Sequence, residues 1–231
     1  MNSVGDNYVE ILNNISTVTK EAGRDAGSVN LIAVSKTKPV SMLMEAYNKG
    51  CRDFGENYVQ ELCDKIDDMP ADVRWHMIGH LQSNKVKYIV GKVFLIHSVD
   101  SVKLAREISK ESVKKNVVSN ILVEINVAGE SSKFGTADKD FNIALIREIS
   151  ELPSLKIRGL MTIAPNTDNP QDNIRYFKEL KRFAYEDVKE YIDGVPVLSM
   201  GMSGDYIEAI HEGATYVRVG SKIFGERIYV K

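Results

Sequence analysis

The chain has 231 residues, 43% of them hydrophobic and 27% charged, ordinary proportions for a globular protein. Its 30 basic and 32 acidic side chains leave a net charge of −2, which gives neither nucleic acid nor an anionic membrane an electrostatic hold. Two cysteines, Cys51 and Cys63, make no disulfide framework and no zinc spacing, Met1 to Glu10 lacks the features of a signal peptide, and no run approaches the ~20 apolar residues that span a bilayer, so a reduced cytoplasmic setting is expected.

The first predicted element is an amphipathic helix over residues 6–22, where Tyr8, Ile11, Leu12, Ile15 and Val18 recur at helical spacing and Gly23 supplies the stop. Short apolar runs then alternate with helical stretches. Strands are predicted at 31–35, 52–54, 74–78, 93–97, 121–126, 156–161, 195–199 and 215–219, and helices at 40–49, 57–67, 83–90, 101–115, 139–151, 170–191 and 205–212. Several of these strands are continuous apolar runs, as befits parallel strands covered on both sides. With no linker rich in Pro, Gly or Ser, the alternation predicts one TIM-type (β/α)8 barrel domain over residues 1–231, preceded by an extra helix; a doubly wound open sheet is the structural alternative.

In a barrel of this kind chemistry sits at the C-terminal ends of the strands. The first strand, Leu31-Ile32-Ala33-Val34-Ser35, runs into Lys36, which continues the alternation of Ile32 and Val34. A desolvated lysine there would have a lowered pKa and a nucleophilic amine suited to Schiff-base chemistry; from position alone, a lysine that leaves the strand for solvent is the commoner outcome. Lys38 is a rival amine, directed away by Pro39. Near the other end, Ser199-Met200-Gly201-Met202-Ser203-Gly204 and Val219-Gly220-Ser221 follow strands seven and eight, where phosphate sites of barrels often lie. Ser203 reads as the N-cap of the next helix. Arg218 either faces a ligand or points outward to a helix carboxylate, and Asn57 either donates to a ligand oxygen or caps the helix it precedes. His76 and His80 lack an acidic third ligand, so no metal is assigned, and His97 and His211 read as isolated structural residues.

Several segments taken together resemble the pyridoxal 5′-phosphate (PLP) homeostasis protein family: Val34-Ser35-Lys36-Thr37-Lys38-Pro39, Phe54-Gly55-Glu56-Asn57-Tyr58, Trp75-His76-Met77-Ile78-Gly79-His80, Asn126 with Glu130, Lys133 and Gly135, Arg158-Gly159-Leu160-Met161-Thr162, Met200-Gly201-Met202-Ser203-Gly204-Asp205, and Val217-Arg218-Val219-Gly220-Ser221. They run in order along nearly the whole chain. The resemblance implies a fold like the N-terminal barrel of alanine racemase without that enzyme's second domain. It implies an internal aldimine on Lys36, phosphate held by Ser203, Gly220 and Ser221, Arg218 facing the pyridine nitrogen, Asn57 at the ring's polar edge, and Met161 and Ile163 flanking the cofactor. It further implies a monomeric carrier of PLP in vitamin B6 homeostasis, without catalytic turnover, with PLP-dependent apo-enzymes as recipients. A PLP-dependent amino-acid racemase and a cofactor-free Schiff-base aldolase are the alternatives.

Overall fold

A computed structural model describes residues 2–130 and 135–226. Its first helix, α1 (Val4–Glu21), is capped by the Ser3 hydroxyl, which accepts from the Asp6 N–H. The chain then alternates β1 (Asn30–Val34), α2 (Val40–Asn48), β2 (Asp53–Glu56), α3 (Val59–Ile66), β3 (Arg74–Met77), α4 (Val86–Ile89), β4 (Leu95–Val99), α5 (Val102–Lys115), β5 (Ser119–Glu124), α6 (Lys139–Ser150), β6 (Leu155–Met161), α7 (Ile174–Arg182), β7 (Val197–Met202), α8 (Tyr206–His211), β8 (Tyr216–Val219) and α9 (Ser221–Phe224). All the strands pair in parallel, each with the next, and β8 closes on β1. The protein is a (β/α)8 barrel.

Parallel strands covered on both faces bury two sets of side chains. The outward set, including Ala33, Phe54, Trp75, Val123 and Leu160, packs under the helices. Inside the barrel, Leu95, Leu122 and Met161 form a small apolar layer. Helix α1 packs against α2, α8 and α9; Asn7 donates to the Ile223 carbonyl and Tyr206 donates to Asn14, fastening it across the closure of the barrel.

The expected elements are present, with displaced ends. β2 extends past the predicted 52–54 to Glu56, β4 lies at Leu95–Val99 rather than 93–97, and β7 at Val197–Met202 rather than 195–199. Each moves toward its C-terminal end, because the last residues, Glu56, Val99 and Met202, still pair with Met77, Val123 and Arg218 of the next strand. The helix predicted over 170–191 is divided into a 3-10 turn (Pro170–Asn173), α7, a π turn (Phe183–Asp187) and another 3-10 turn (Lys189–Tyr191).

Candidate cofactor site

Pairing of Ile32 with Arg218 between β1 and β8 fixes which way these strands face. Arg218 is buried inside the barrel, so Ile32, and by alternation Val34 and Lys36, point the same way. At the C-terminal mouth of the barrel a cavity of about 460 Å³ is lined by Lys36, Asn57, Ile163, Ser203, Arg218, Gly220 and Ser221. The fold thus brings together seven of the eight residues singled out in the sequence. Met161 is set apart. It is fully buried two residues before Ile163, in the apolar layer beneath the cavity.

The backbone around Lys36 is strained and clamped. Thr37 has φ +63°, an outlier for a β-branched residue. Its N–H donates to Glu61, while the Ser35 carbonyl accepts from Lys65 Nζ at 2.8 Å and the Ser35 hydroxyl donates to Glu56 Oε1 at 2.6 Å. Lys38 is engaged elsewhere: its Nζ donates to the carbonyls of Phe224, Gly225 and Glu226.

Asn57 is not a helix cap. The N-cap of α3 is Tyr58, without a side-chain bond, and Asn57 Oδ1 is buried with no hydrogen-bond partner. Its backbone is pressed against Gly79, where an added Cβ would lie 2.5 Å from the Asn57 carbonyl oxygen. A buried acceptor left unpaired at a cavity wall is suited to a ligand donor.

Ser203 is not a cap either. Helix α8 starts one residue later than expected, its cap position falls on Asp205 rather than Ser203, and Asp205 Oδ1 accepts from the Met202 N–H. Just before, between Ser199 and Met202, β7 shifts register and Gly201 adopts φ +87°, with an added Cβ 2.6 Å from that of Ala209. This bend delivers the Ser203 hydroxyl to the β8 loop, where it accepts from the Gly220 N–H at 3.2 Å. The Gly220 carbonyl accepts from the Ile223 and Phe224 amides, which leaves the amides of Ser221 and Lys222 at the head of the turn. The two loops form one cradle of hydroxyls and N–H groups.

Arg218 supplies the charge. Burial lowers its pKa to about 10, with Asp205 and Glu124 opposing, so it remains a cation at neutral pH. NH1 donates to Ser199 Oγ at 2.6 Å and NH2 to the Thr162 carbonyl at 2.8 Å.

A family model described as alanine racemase, N-terminal domain, matches residues 7–228. The chain is 45% identical over 220 residues to the pyridoxal phosphate homeostasis protein of Aquifex aeolicus (strain VF5), an alignment covering 95% of this chain and 96% of that one. The chain belongs to the pyridoxal phosphate homeostasis protein family. Among solved structures, PipY of Synechococcus elongatus PCC7942 with PLP bound superposes with a TM-score of 0.79 at 34% identity, over 91% of this chain and all of that one (100%). Alanine racemase from Streptomyces coelicolor A3(2) shares the fold at a TM-score of 0.68 and 15% identity, over 95% of this chain and 59% of the racemase.

Two features of this family member lie beyond the residues predicted above. One is Glu124, at the end of β5, which lines a second lobe of the cleft with Asn57, Ile78 and Ile163. Burial raises its carboxyl to about 7, with Asp100 adding and Arg218 opposing. Its place could have been read from the sequence, since it alternates with inward-facing Leu122. The other is His97, read as isolated, which is hydrogen-bonded to both His76 and Ser199 inside the barrel. Lys133 lies outside the described residues.

Proposed function

We propose that this chain binds PLP in the mouth of the barrel and serves PLP homeostasis, holding the reactive aldehyde on Lys36 without catalytic turnover. The observation that carries this reading is the convergence of Lys36, the buried Arg218 cation, the unpaired Asn57 acceptor and the Ser203–Gly220 cradle on one cavity. Each matches a different part of PLP: an aldehyde, a pyridine nitrogen, a polar ring edge and a phosphate.

Bound PLP supplies an electrophilic aldehyde conjugated to an electron-withdrawing ring. Lys36 supplies the amine. Ser203 and Ser221 supply hydrogen-bond donors to the phosphate, and Gly220, whose N–H holds the Ser203 hydroxyl, brings the two loops together around it. Ile163 covers one face of the ring, and Met161 supports it from the layer below. Arg218 opposes protonation of the nitrogen it faces, which weakens the ring as an electron sink and disfavours carbanion chemistry. Racemisation would need a second base facing Lys36, and Tyr58, in the adjoining lobe of the cleft, is the tyrosine to test for that role. The protein acts in a reduced cytoplasm as a monomer and gives PLP up to apo-enzymes.

The test is the visible absorption spectrum with added PLP for wild type and Lys36→Ala. A visible band in the wild type that is absent from the variant supports attachment at Lys36. A band unchanged in the variant assigns another lysine, and no band in either removes the PLP reading. Racemisation of a common amino acid at ~1 s⁻¹ or faster would remove the non-catalytic part.

A further inference from the structure

A chain of hydrogen bonds runs through the barrel interior from one wall to the candidate site. Asp53 Oδ1 lies 2.9 Å from His76 Nε2, His76 Nδ1 lies 2.9 Å from His97 Nε2, and His97 Nδ1 lies 2.9 Å from Ser199 Oγ, the atom that accepts from Arg218. His76, His97 and Ser199 are fully buried, and Asp53 is nearly so. Arg74 donates to both Asp53 carboxylate oxygens and anchors that end.

The chemistry of its ends gives the chain one direction. A guanidinium can only donate, and a carboxylate can only accept. Burial opposes ionisation of Asp53, but hydrogen bonds from Arg74 and His76 outweigh it and keep the carboxyl below its usual range. Burial lowers both histidines; at His76 the Asp53 carboxylate opposes it while Arg74 adds to it, and at His97 both His76 and Arg218 add to it. Neutral imidazoles between a carboxylate and a serine leave one assignment. His76 Nε2–H donates to Asp53, His97 Nε2–H donates to His76 Nδ1, and the Ser199 hydroxyl donates to His97 Nδ1. The hydroxyl hydrogen of Ser199 is then committed away from Arg218, and its lone pairs face the guanidinium.

We propose that Asp53, His76, His97 and Ser199 are positioning residues for the cofactor, a one-directional relay that fixes Arg218 as a cationic donor facing the PLP ring nitrogen. The relay rests on the PLP reading above. It acts on one atom of the ligand, and that separates it from a merely structural core. Hydrogen bonds in such a chain polarise one another, so a change at Asp53 reaches Arg218 without touching it. Asp205 and Glu124 also act on Arg218, but through space.

The test compares the affinity of the full chain for PLP with that for its 1-deaza analogue, which carries a C–H where PLP has the ring nitrogen. Ser199→Ala, which removes the acceptor, is expected to weaken PLP binding about tenfold. Asp53→Asn, which removes the terminal charge, is expected to weaken it about threefold. Both variants should bind the deaza analogue within about twofold of wild type, because the atom served by the relay is gone. His97→Gln can accept and donate in the same order and should keep PLP affinity closer to wild type than Ser199→Ala does. Equal losses for PLP and the analogue would make the chain a structural core and overturn the proposal, as would unchanged PLP affinity in both breaking variants. If Ser199→Ala does not fold, Asp53→Asn carries the same comparison. A wild type that binds neither ligand would instead remove the PLP reading itself.

Discussion

Lys65 and Glu56 form an ion pair at 2.7 Å behind the strand end that carries Lys36, with the lysine side chain 8% exposed and the carboxylate fully buried. The same ammonium reaches Glu61 at 2.7 Å and the Ser35 carbonyl at 2.8 Å, and Glu61 in turn accepts the Thr37 N–H. One buried cation therefore holds the residues on both sides of Lys36. Burial still raises the Glu56 carboxyl, against Lys65 and Ser35, and its Oε2 has no hydrogen-bond partner.

Removing the cation is expected to be costly. Lys65→Met leaves Glu56 buried without its partner and should destabilise the fold by about 3–5 kcal/mol in urea unfolding. The double variant Lys65→Met, Glu56→Leu replaces the pair with apolar groups and should recover most of that loss. A single-variant cost below about 1 kcal/mol would show that Glu56 is content without Lys65.

Asn57 is expected to trade stability for binding. Its buried Oδ1 gains no hydrogen bond within the described protein, so Asn57→Ala should change the stability of the PLP-free chain by less than about 1 kcal/mol. PLP affinity should fall about tenfold as a ligand-facing polar group is lost. Titration of the visible band and thermal unfolding of the same samples decide the matter. Unaltered affinity would return Asn57 to a purely local role.

Lys36 was legible because alternation with Ile32 and Val34 carries a strand's facing past its end, and the barrel honours it. Strand limits were less legible at the functional rim. Glu56 and the stretch from Met200 to Met202 belong to strands, yet a charged residue and a glycine interrupt the apolar run that marks a strand in the sequence. His97 was misread because its partner is set by inter-strand register, which local pattern does not encode. Pairing of His76 with Leu95 puts His97 two residues further along β4, on the same inner face. Ser203 has the composition of a cap, but the bend at Gly201 turns its hydroxyl to Gly220 before any helix begins.

Gly79 is expected to be intolerant where Gly204 is not. A Cβ at Gly79 would meet the Asn57 carbonyl oxygen at 2.5 Å and its Cα at 2.6 Å, whereas one at Gly204 meets nothing within 4 Å. Gly79→Ala should cost more than about 2 kcal/mol through backbone displacement, and Gly204→Ala should stay within about 0.5 kcal/mol. Chemical denaturation of both variants checks the difference; equal midpoints would show that the Asn57 segment yields easily.

Glu124 makes a pH-dependent contribution whose sign is fixed by burial. Its carboxyl is raised from 4.5 to about 7 in the folded chain. Between those values the folded state holds a proton that the unfolded state has released, so stability falls as pH rises through this window. Glu124→Gln removes the effect. The variant should match wild type near pH 4 and exceed it at pH 8 by up to about 3 kcal/mol. The depressed histidines, His76 and His97, act in the opposite sense, losing stability as pH falls, and they are common to both proteins. The difference between the two urea midpoints, followed from pH 4 to pH 8, therefore reports Glu124 alone. A difference that stays constant over that range would place the ionised carboxylate in a better-solvated position than the wall of the cleft.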